Sequence, residues 1–136
     1  MKKKILLFLL FTLLSFTSCV EDVPTSRIND DSYNRIFVSN QTNKFLFQVS
    51  ALNFTLNETY NVNYFNDTLT VEVIVSEYKG GRGALLLMET VDTLFVKEFS
   101  HNDSFGLVRE KIGDPKRLKI QLNNFSGKLS LSVAHP

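Results

Sequence analysis

Side chains able to do chemistry are few in this chain of 136 residues, which contains one cysteine and two histidines. His101, Asp103 and Ser104 fall within one polar run and are the residue types of a hydrolase triad. A working triad, however, joins a nucleophile and a base from separate chain segments, with a third group that orients the base. We therefore interpret the run as a solvated turn. We assign no catalytic residue, no cofactor and no metal ligand.

Cys19 is the remaining reactive side chain, and the residues before it indicate its chemistry. Lys2, Lys3 and Lys4 precede an uncharged run over 5–14, which a few small or polar residues join to Cys19. A cationic start, an apolar core and small residues are typical of a secretory signal peptide. The apolar run is about half of the roughly 20 residues that span a bilayer as a helix. The segment 1–18 therefore predicts a leader and not a permanent membrane-spanning anchor.

The segment 14–19, Leu-Ser-Phe-Thr-Ser-Cys, resembles the lipobox of bacterial lipoproteins. The resemblance implies that the Cys19 sulfur receives a diacylglycerol, that Cys19 becomes the first residue after cleavage, and that the protein is held by membrane lipid. Val20, where an aspartate would imply inner-membrane retention, implies the outer membrane of a Gram-negative envelope, on either its periplasmic or its surface side. Ordinary signal cleavage, which would release a soluble secreted protein, is the alternative.

The residues after the leader bound the size and charge of the domain. Removal of 1–18 takes away three lysines and no acids, which leaves twelve basic side chains against fourteen acidic ones. This balance does not favour nucleic acid as a partner. Residues 19–32 are polar and aperiodic, and we interpret them as the lipidated cysteine and a flexible tether. Residues 33–136 then suit a single domain.

Beyond residue 32, short runs of β-branched, aromatic and leucine residues alternate with clusters of Gly, Asn, Asp and Ser. This spacing predicts an all-β fold: a two-layer antiparallel β-sandwich of about eight or nine short strands, Ig-like or jelly-roll-like. The predicted strands cover 35–39, 44–50, 59–65, 68–76, 83–89, 93–99, 105–109, 117–122 and 128–133.

Three clusters of turn residues are interpreted as hairpin loops, at 79–83, 90–93 and 123–127. The strands on either side of the last cluster alternate cleanly between apolar and polar residues, so that each has one dry and one wet face. Antiparallel strands joined in this way can leave one side of a sheet to water.

The predicted strand 59–65 supplies a candidate recognition surface. The two-residue period of a strand places Tyr60, Val62 and Tyr64 on one face and the asparagines between them on the other. Tyrosine combines an apolar ring with a polar tip, which suits a binding surface. We therefore select Tyr60 and Tyr64 as candidate contacts for an unidentified protein or glycan partner. A half-buried edge strand is the alternative.

Apolar residues occupy both faces of the predicted strands 83–89 and 93–99. Such strands are either covered on both sides or part of an interface. Candidate interface residues for a partner or for self-association are Ile74, Leu86, Phe95 and Phe99. The alternative is a second layer that covers them.

Two short segments predict covalent modification. Asp67-Thr68-Leu69 and Asp92-Thr93-Leu94 resemble the Asp-Thr-aliphatic acceptor of O-glycosylation in some Gram-negative bacteria, which implies modification of Thr68 and Thr93. A turn aspartate before a β-branched strand start is the alternative. The six Asn-x-Ser/Thr sequences reflect an Asn- and Thr-rich composition if the leader is bacterial.

Taken together, these patterns predict a small lipid-anchored binding or assembly module of the cell envelope that acts through a sheet face or loops, without catalysis. Three alternatives stay open. They are a structural or accessory subunit of an outer-membrane or surface complex, an inhibitor or immunity factor against an envelope enzyme, and a hydrolase.

Overall fold

All regular structure in the described part of the chain is β-strand. The computed structural model describes residues 33–64, 68–109 and 112–135, so that Cys19 and the leader lie outside the described residues. The strands are β1 (Arg35–Gln41), β2 (Lys44–Asn61), β3 (Leu69–Met88), β4 (Thr93–Phe99), β5 (Asp103–Arg109) and β6 (Arg117–Ala134). The all-β antiparallel prediction is confirmed.

The six strands form one antiparallel sheet, in which five lie side by side in the order β1-β2-β6-β3-β4. β5 also pairs with β3, along residues 69–75, whereas β4 pairs with residues 83–88 of the same strand. β2, β3 and β6 have 18, 20 and 18 residues, far more than the usual strand of about 5 or 6. The predicted sandwich of eight or nine short strands is therefore not observed, because β3 and β6 each join two predicted strands. β2 joins the predicted strand 44–50 to only the first three residues of the predicted strand 59–65, and residues 62–64 are not in a strand.

The three long strands bend at the same level of the sheet. Register shifts between β2 and β6 lie within 51–56, and those between β3 and β6 lie within 76–82. Gly81 has a φ of 87° and Asn124 a φ of 48° at these bends. Glycine and asparagine adopt positive φ more readily than other residues. Such β-bulges bend a strand without ending it.

Two of the three predicted hairpin loops are therefore wrong. The clusters at 79–83 and 123–127 lie inside β3 and β6, where their turn residues bend a continuing strand because both of its parts stay paired with neighbours. The predicted turn at 90–93 does connect β3 to β4, and the Glu89 amide donates a hydrogen bond to the Asp92 carbonyl oxygen at 3.1 Å.

The bends divide the sheet into two parts, named here by an edge strand of each. The β1 half contains β1, β5 and residues 44–51, 69–76 and 127–134; the β4 half contains β4 and residues 54–61, 80–88 and 117–126. The rings of Phe45 and Tyr60, near opposite ends of β2, have centroids 5.1 Å apart. β2 therefore curls back far enough for its own two ends to touch.

One apolar core joins the inner sides of both halves. Its fully buried members include Phe45, Phe47, Leu69, Val71, Val73, Leu85, Leu87, Leu118, Ile120, Phe125, Leu131 and Val133. In β2 and in β6 the inward residues change between odd and even numbers at the bend. A bulge shifts the alternation by one residue, and the shift keeps the apolar side of each strand turned inward.

Aromatic rings fill the core at the bend. Phe99 and Phe125 meet edge to face, with ring centroids 5.9 Å apart. Phe99 pairs with Gly83 across the β3–β4 ladder, and any Cβ at Gly83 would overlap the Phe99 ring. A glycine at this position therefore makes room for a buried phenylalanine, whose full burial stabilises the fold by about 1.5–3 kcal/mol.

Candidate functional site: a groove on the outer face of the β4 half

An open groove with a volume of about 820 Å³ lies on the outer face of the β4 half, beside the bend. This volume falls within the range of roughly 300–1,000 Å³ that is usual for ligand sites. The groove crosses β2, β6, β3 and β4, which spans three interstrand spacings or roughly 14 Å. The side chains that line it include Thr55, Asn57, Arg82, Ala84, Glu98, Ser100, His101, Gln121 and Asn123.

Cross-strand register assembles the groove from positions that are distant in sequence. Asn57 lies opposite Gln121, Gln121 opposite Ala84, and Ala84 opposite Glu98. These residues point outward because their neighbours along each strand point into the core. A transverse row of two carboxamides, one small apolar side chain and one carboxylate results.

Few of the polar groups in the groove are engaged with the protein itself. The Gln121 amide nitrogen donates to Asn57 Oδ1 at 3.4 Å, which is long for a hydrogen bond. Thr55 Oγ1 accepts a hydrogen bond from the Asn124 amide at 3.2 Å. Within the described part of the chain, Arg82, Glu98 and Asn123 have no side-chain hydrogen bond or ion pair. These three side chains are exposed to solvent.

Arg82 and Glu98 place one charge of each sign in the groove. Arg82 lies two residues before Ala84, and Ala84 lies opposite Glu98. Arg82 and Glu98 are therefore diagonal neighbours, with Cα atoms about 7–8 Å apart. An exposed ion pair between them would add little stability, about 0–1 kcal/mol at most. Both charged groups are thus available for contact with another molecule.

The residues of the apparent hydrolase trio have three different surroundings. His101 lines the groove from the exposed connection between β4 and β5. The Asp103 carboxylate instead binds Lys97 Nζ at 2.6 Å, and Lys97 also lies over the Phe105 ring, 4.5 Å from its centroid. The hydrogen bond from Lys97 lowers the pKa of Asp103 below its ordinary value. Ser104 lies opposite Ile74 in the β1 half.

The two tyrosines predicted as a recognition surface face the core. Tyr64 is only 5% exposed, and its hydroxyl donates a hydrogen bond to the Val133 carbonyl oxygen at 3.2 Å. Burial raises the pKa of this hydroxyl. Tyr60 is partly buried against Phe45, and burial followed by the nearby Glu58 carboxylate raises its pKa as well.

The predicted grouping of these residues is right, but its direction is not. Val62 is buried together with Tyr60 and Tyr64, and Asn61 and Asn63 are exposed. Their shared face points inward, since Val62 and Tyr64 belong to the core and Tyr60 packs against it. Tyr64 therefore cannot form an exposed platform for a ligand.

The four candidate interface residues do not share one surface. Ile74 is 45% exposed on the outer face of the β1 half, and Leu86 is partly buried on the outer face of the β4 half. Phe95 packs against Phe105, with ring centroids 6.1 Å apart. Phe99 is 2% exposed and belongs to the core. A single interface made of all four residues is excluded by these positions.

The outer face of the β1 half carries a second surface, which we call the serine face. Its transverse row runs from Phe37 through Gln48, Ser130 and Ile74 to Ser104. Phe37 is 55% exposed, and Gln48 donates to Ser130 Oγ at 3.3 Å. Ile74 was predicted from the sequence as an interface residue, whereas Phe37 was not. The outward position of Phe37 follows from its pairing with Gln48.

Several asparagines in the Asn-x-Ser/Thr sequences have structural roles. Asn53 and Asn124 adopt positive φ at the bends. Asn40 donates to the Asn61 carbonyl oxygen at 2.7 Å, and Asn102 Oδ1 accepts from the Tyr78 amide at 2.9 Å. The asparagine content thus serves the bends and loop contacts of the sheet.

The acceptor threonines differ in exposure. Thr93 is exposed at the start of β4, and Thr68 is partly buried just before β3. Glycosylation of either residue stays a prediction.

No helix among residues 33–64, 68–109 and 112–135 has the length and hydropathy needed to cross a membrane. Across the same ranges, no group of three or more His, Cys, Asp or Glu side chains is placed to hold a metal ion. No family model and no curated protein matches this chain.

Proposed function

We propose that this chain is a small lipid-anchored binding module of the Gram-negative cell envelope, and that it binds through the groove of the β4 half without catalysis. The observation that carries the proposal is the groove itself. Among the residues that the structure describes, Arg82, Glu98 and Asn123 have no side-chain partner there, and they lie beside the carboxamides of Asn57 and Gln121. Groups of this kind hold water in the free protein and exchange it for a ligand.

The leader supports the membrane part of the proposal. If Cys19 is acylated as in bacterial lipoproteins, each buried CH₂ of its fatty chains contributes about 0.8 kcal/mol, and two or more chains make the attachment stable. A tether of about a dozen residues spans roughly 20 Å. The domain could then meet its ligand clear of the lipid headgroups.

The bend supports a finer proposal about shape. We propose that the two halves act as the layers of one two-layer body, with both outer faces left to solvent. The contact between Phe45 and Tyr60 and the single shared core support this arrangement. Antiparallel sheets commonly have one side on the core and the other in water.

A second candidate function is that of an accessory subunit that assembles through the serine face. The exposure of Phe37 and Ile74 favours it, since exposed apolar side chains grouped on a sheet face mark interfaces. A second copy is the partner that fits best. A two-fold axis between Gln48 and Ser130 would place Phe37 of each copy against Ile74 of the other.

Anchoring is tested on the protein from its native cell. Intact mass should show a diacylated chain that begins at Cys19, and membrane fractionation should place the protein with outer-membrane lipid. A Cys19→Ser variant should leave the membrane fraction. An unmodified mature chain in the soluble fraction would overturn the anchoring proposal.

Binding is tested on the lipidated chain in sugar-free detergent micelles. Envelope extract, separated into protein, peptidoglycan and polysaccharide fractions, should raise the Tm of the wild type with at least one fraction. The variant Asn57→Ala/Gln121→Ala should lose this rise. The matched serine-face variant Gln48→Ala/Ser130→Ala should keep it. If no fraction raises the Tm of the wild type, or if both variants show the same rise, the proposal is rejected.

Self-association is tested by sedimentation of the same micellar protein across a range of concentrations. Assembly through the serine face predicts a dimer that Phe37→Ser dissociates. A monomer at every concentration would remove this second candidate.

A further inference from the structure

We infer that the groove of the β4 half takes a neutral, polyhydroxylated ligand, a short stretch of uncharged glycan that lies across the strands. The inference rests on the proposed binding function and adds the chemical class of the ligand. It is carried by the backbone pairing beneath the groove, by the side chains that line it and by their charges.

The central strands at the floor of the groove have their backbone paired on both sides. β6 pairs with β2 on one side and with β3 on the other along 117–122 and again along 128–134, and residues 83–88 of β3 pair with both β6 and β4. Peptides that add to a sheet use the unpaired groups of an edge strand. In the described structure such edges flank the two ends of the groove and do not run along it. A ligand across the central row of the groove is therefore read mainly by side chains.

The side chains match a ligand made of hydroxyl groups. Asn57, Gln121 and Asn123 each combine two N–H donors with a carbonyl acceptor, and Ser100 adds a hydroxyl that does both. A sugar hydroxyl also donates and accepts, and two adjacent hydroxyls present the paired pattern that one planar carboxamide can satisfy. The small side chain of Ala84 between Gln121 and Glu98 leaves room for a ring at the centre of the row.

The charges in the groove favour a neutral ligand. Arg82 and Glu98 carry opposite charges and have no ion-pair partner in the described part of the chain. A ligand of either net charge would be attracted by one of these groups and repelled by the other. A hydroxyl can instead accept from the Arg82 guanidinium or donate to the Glu98 carboxylate, and such charge-assisted hydrogen bonds are about twice as strong as neutral ones.

The described residues place no exposed aromatic platform in the groove. Phe99, the aromatic residue among those that line it, is 2% exposed and packs into the core against Phe125. Hydrogen bonds must therefore supply most of the affinity, which makes each single contact weak because water competes for the same groups. Many anchored copies on one membrane would engage a repeating polymer together, and such multivalence raises the overall affinity by about 10²–10⁴-fold.

The test is titration calorimetry on the lipidated chain in sugar-free detergent micelles. The probes are short neutral oligosaccharides of glucose, galactose and mannose, the matching uronic-acid oligosaccharides, and short peptides. A neutral oligosaccharide should bind, and Gln121→Ala should weaken it by about tenfold, the effect of one lost buried hydrogen-bonding group. Glu98→Gln should weaken it less, since the amide still accepts and donates. Gln48→Ala on the serine face is the matched control and should bind as the wild type does.

The outcomes separate the ligand class from the binding function. Binding confined to the acidic oligosaccharides or to peptides would overturn the inference, as would neutral binding that Gln121→Ala leaves unchanged. If no neutral sugar binds while an envelope fraction still protects the wild type and not Asn57→Ala/Gln121→Ala, the ligand class is wrong and the binding function stands. If no neutral sugar binds and no envelope fraction raises the Tm of the wild type, the ligand class and the binding function are both rejected.

Discussion

The two outer faces of the sheet are built by the same three long strands and yet differ in chemistry. The serine face of the β1 half exposes Phe37 and Ile74 around small hydroxyl side chains. The groove of the β4 half lies nine or ten residues away along each long strand. It carries the carboxamide of Gln121 and the charge of Arg82, which has no ion-pair partner in the described part of the chain. The buried inner positions of the described residues are apolar in both halves, apart from Ser126 at the bend. Folding thus constrains the inner side alike in both halves and leaves the outer side free to differ.

The bend is what allows this difference. Without the shifts of alternation in β2 and β6, one half of each strand would turn its apolar side to water. With them, a single strand contributes to two outward surfaces that face different directions. β3 shows this directly, since it supplies Ile74 to the serine face and Ala84 to the groove.

The largest effect on stability is expected from a substitution at the bend, which separates the two outer faces. Gly81→Ala should lower the free energy of unfolding by about 3 kcal/mol or more, because φ at Gly81 is positive and a Cβ there would overlap the Asn124 backbone. Gly106→Ala in β5 is the matched control, since nothing lies within 4 Å of its added Cβ, and should change stability by less than about 0.5 kcal/mol. Urea unfolding measures both variants. Equal losses would show that the bend is not specified by Gly81.

The next effect contrasts the inner and outer sides through two phenylalanines. Phe99→Ala should destabilise the protein by about 3–5 kcal/mol, because Phe99 is fully packed in the core. Phe37→Ala removes a ring that is 55% exposed and should change stability by about 0.5 kcal/mol or less. Thermal and urea unfolding give the comparison. A large loss for Phe37→Ala would mean that the serine face is covered in the folded protein.

A smaller effect sharpens the contrast between the two predicted recognition residues and the groove. Tyr64→Phe should lower the free energy of unfolding by about 1 kcal/mol, since it deletes one buried hydrogen bond, to the Val133 carbonyl oxygen. It should leave any groove ligand bound as before. Tyr33→Phe is the control, because Tyr33 is 39% exposed and should show no measurable change. Loss of ligand binding in Tyr64→Phe would show that the Tyr64 hydroxyl does contribute to the recognition surface.

The smallest effect concerns pH and the β4–β5 connection. Because the folded-state pKa of Asp103 lies below its ordinary value of 3.8, its contribution to stability is fully present above that value and is lost as pH falls through the lower folded-state pKa. Asp103→Asn should therefore lower Tm near neutral pH, and the difference from the wild type should shrink below about pH 4. Asp114→Asn, which breaks an exposed pair with Lys116 at 2.6 Å, is the matched control and should change Tm little near neutral pH. An acid profile of Asp103→Asn parallel to that of the wild type would contradict the assignment.

Much of the fold follows from local patterns. The boundaries of β4 and the turn before it agree with the sequence-based prediction, and the inward alternation of Leu118, Ile120 and Leu122 is observed. The residues of the groove were not found, although Gln121 lies on the wet side of a predicted strand. The outward polar positions of β2, β3 and β6 can be seen in the sequence. They form a site only because the strand register aligns them across the sheet.

The sequence by itself determined the β character of the chain, the apolar and polar sides of several strands, and two of the places where the backbone leaves regular φ and ψ, near Gly81 and Asn124. Tertiary pairing decided the rest. Gly and Asn at positive φ serve a hairpin and a bulge equally well, and only the pairing of β6 with β2 and β3 on both sides of Asn124 makes that segment a bend. The pairing of β6 with β2 and β3, and of β3 with β4, brought Asn57, Gln121 and Glu98 into one row, because contacts between distant strands are set by register and not by neighbours in the chain. Tyr64 lies beyond the end of β2, and its inward position comes from its packing in the core and its hydrogen bond to the Val133 carbonyl oxygen.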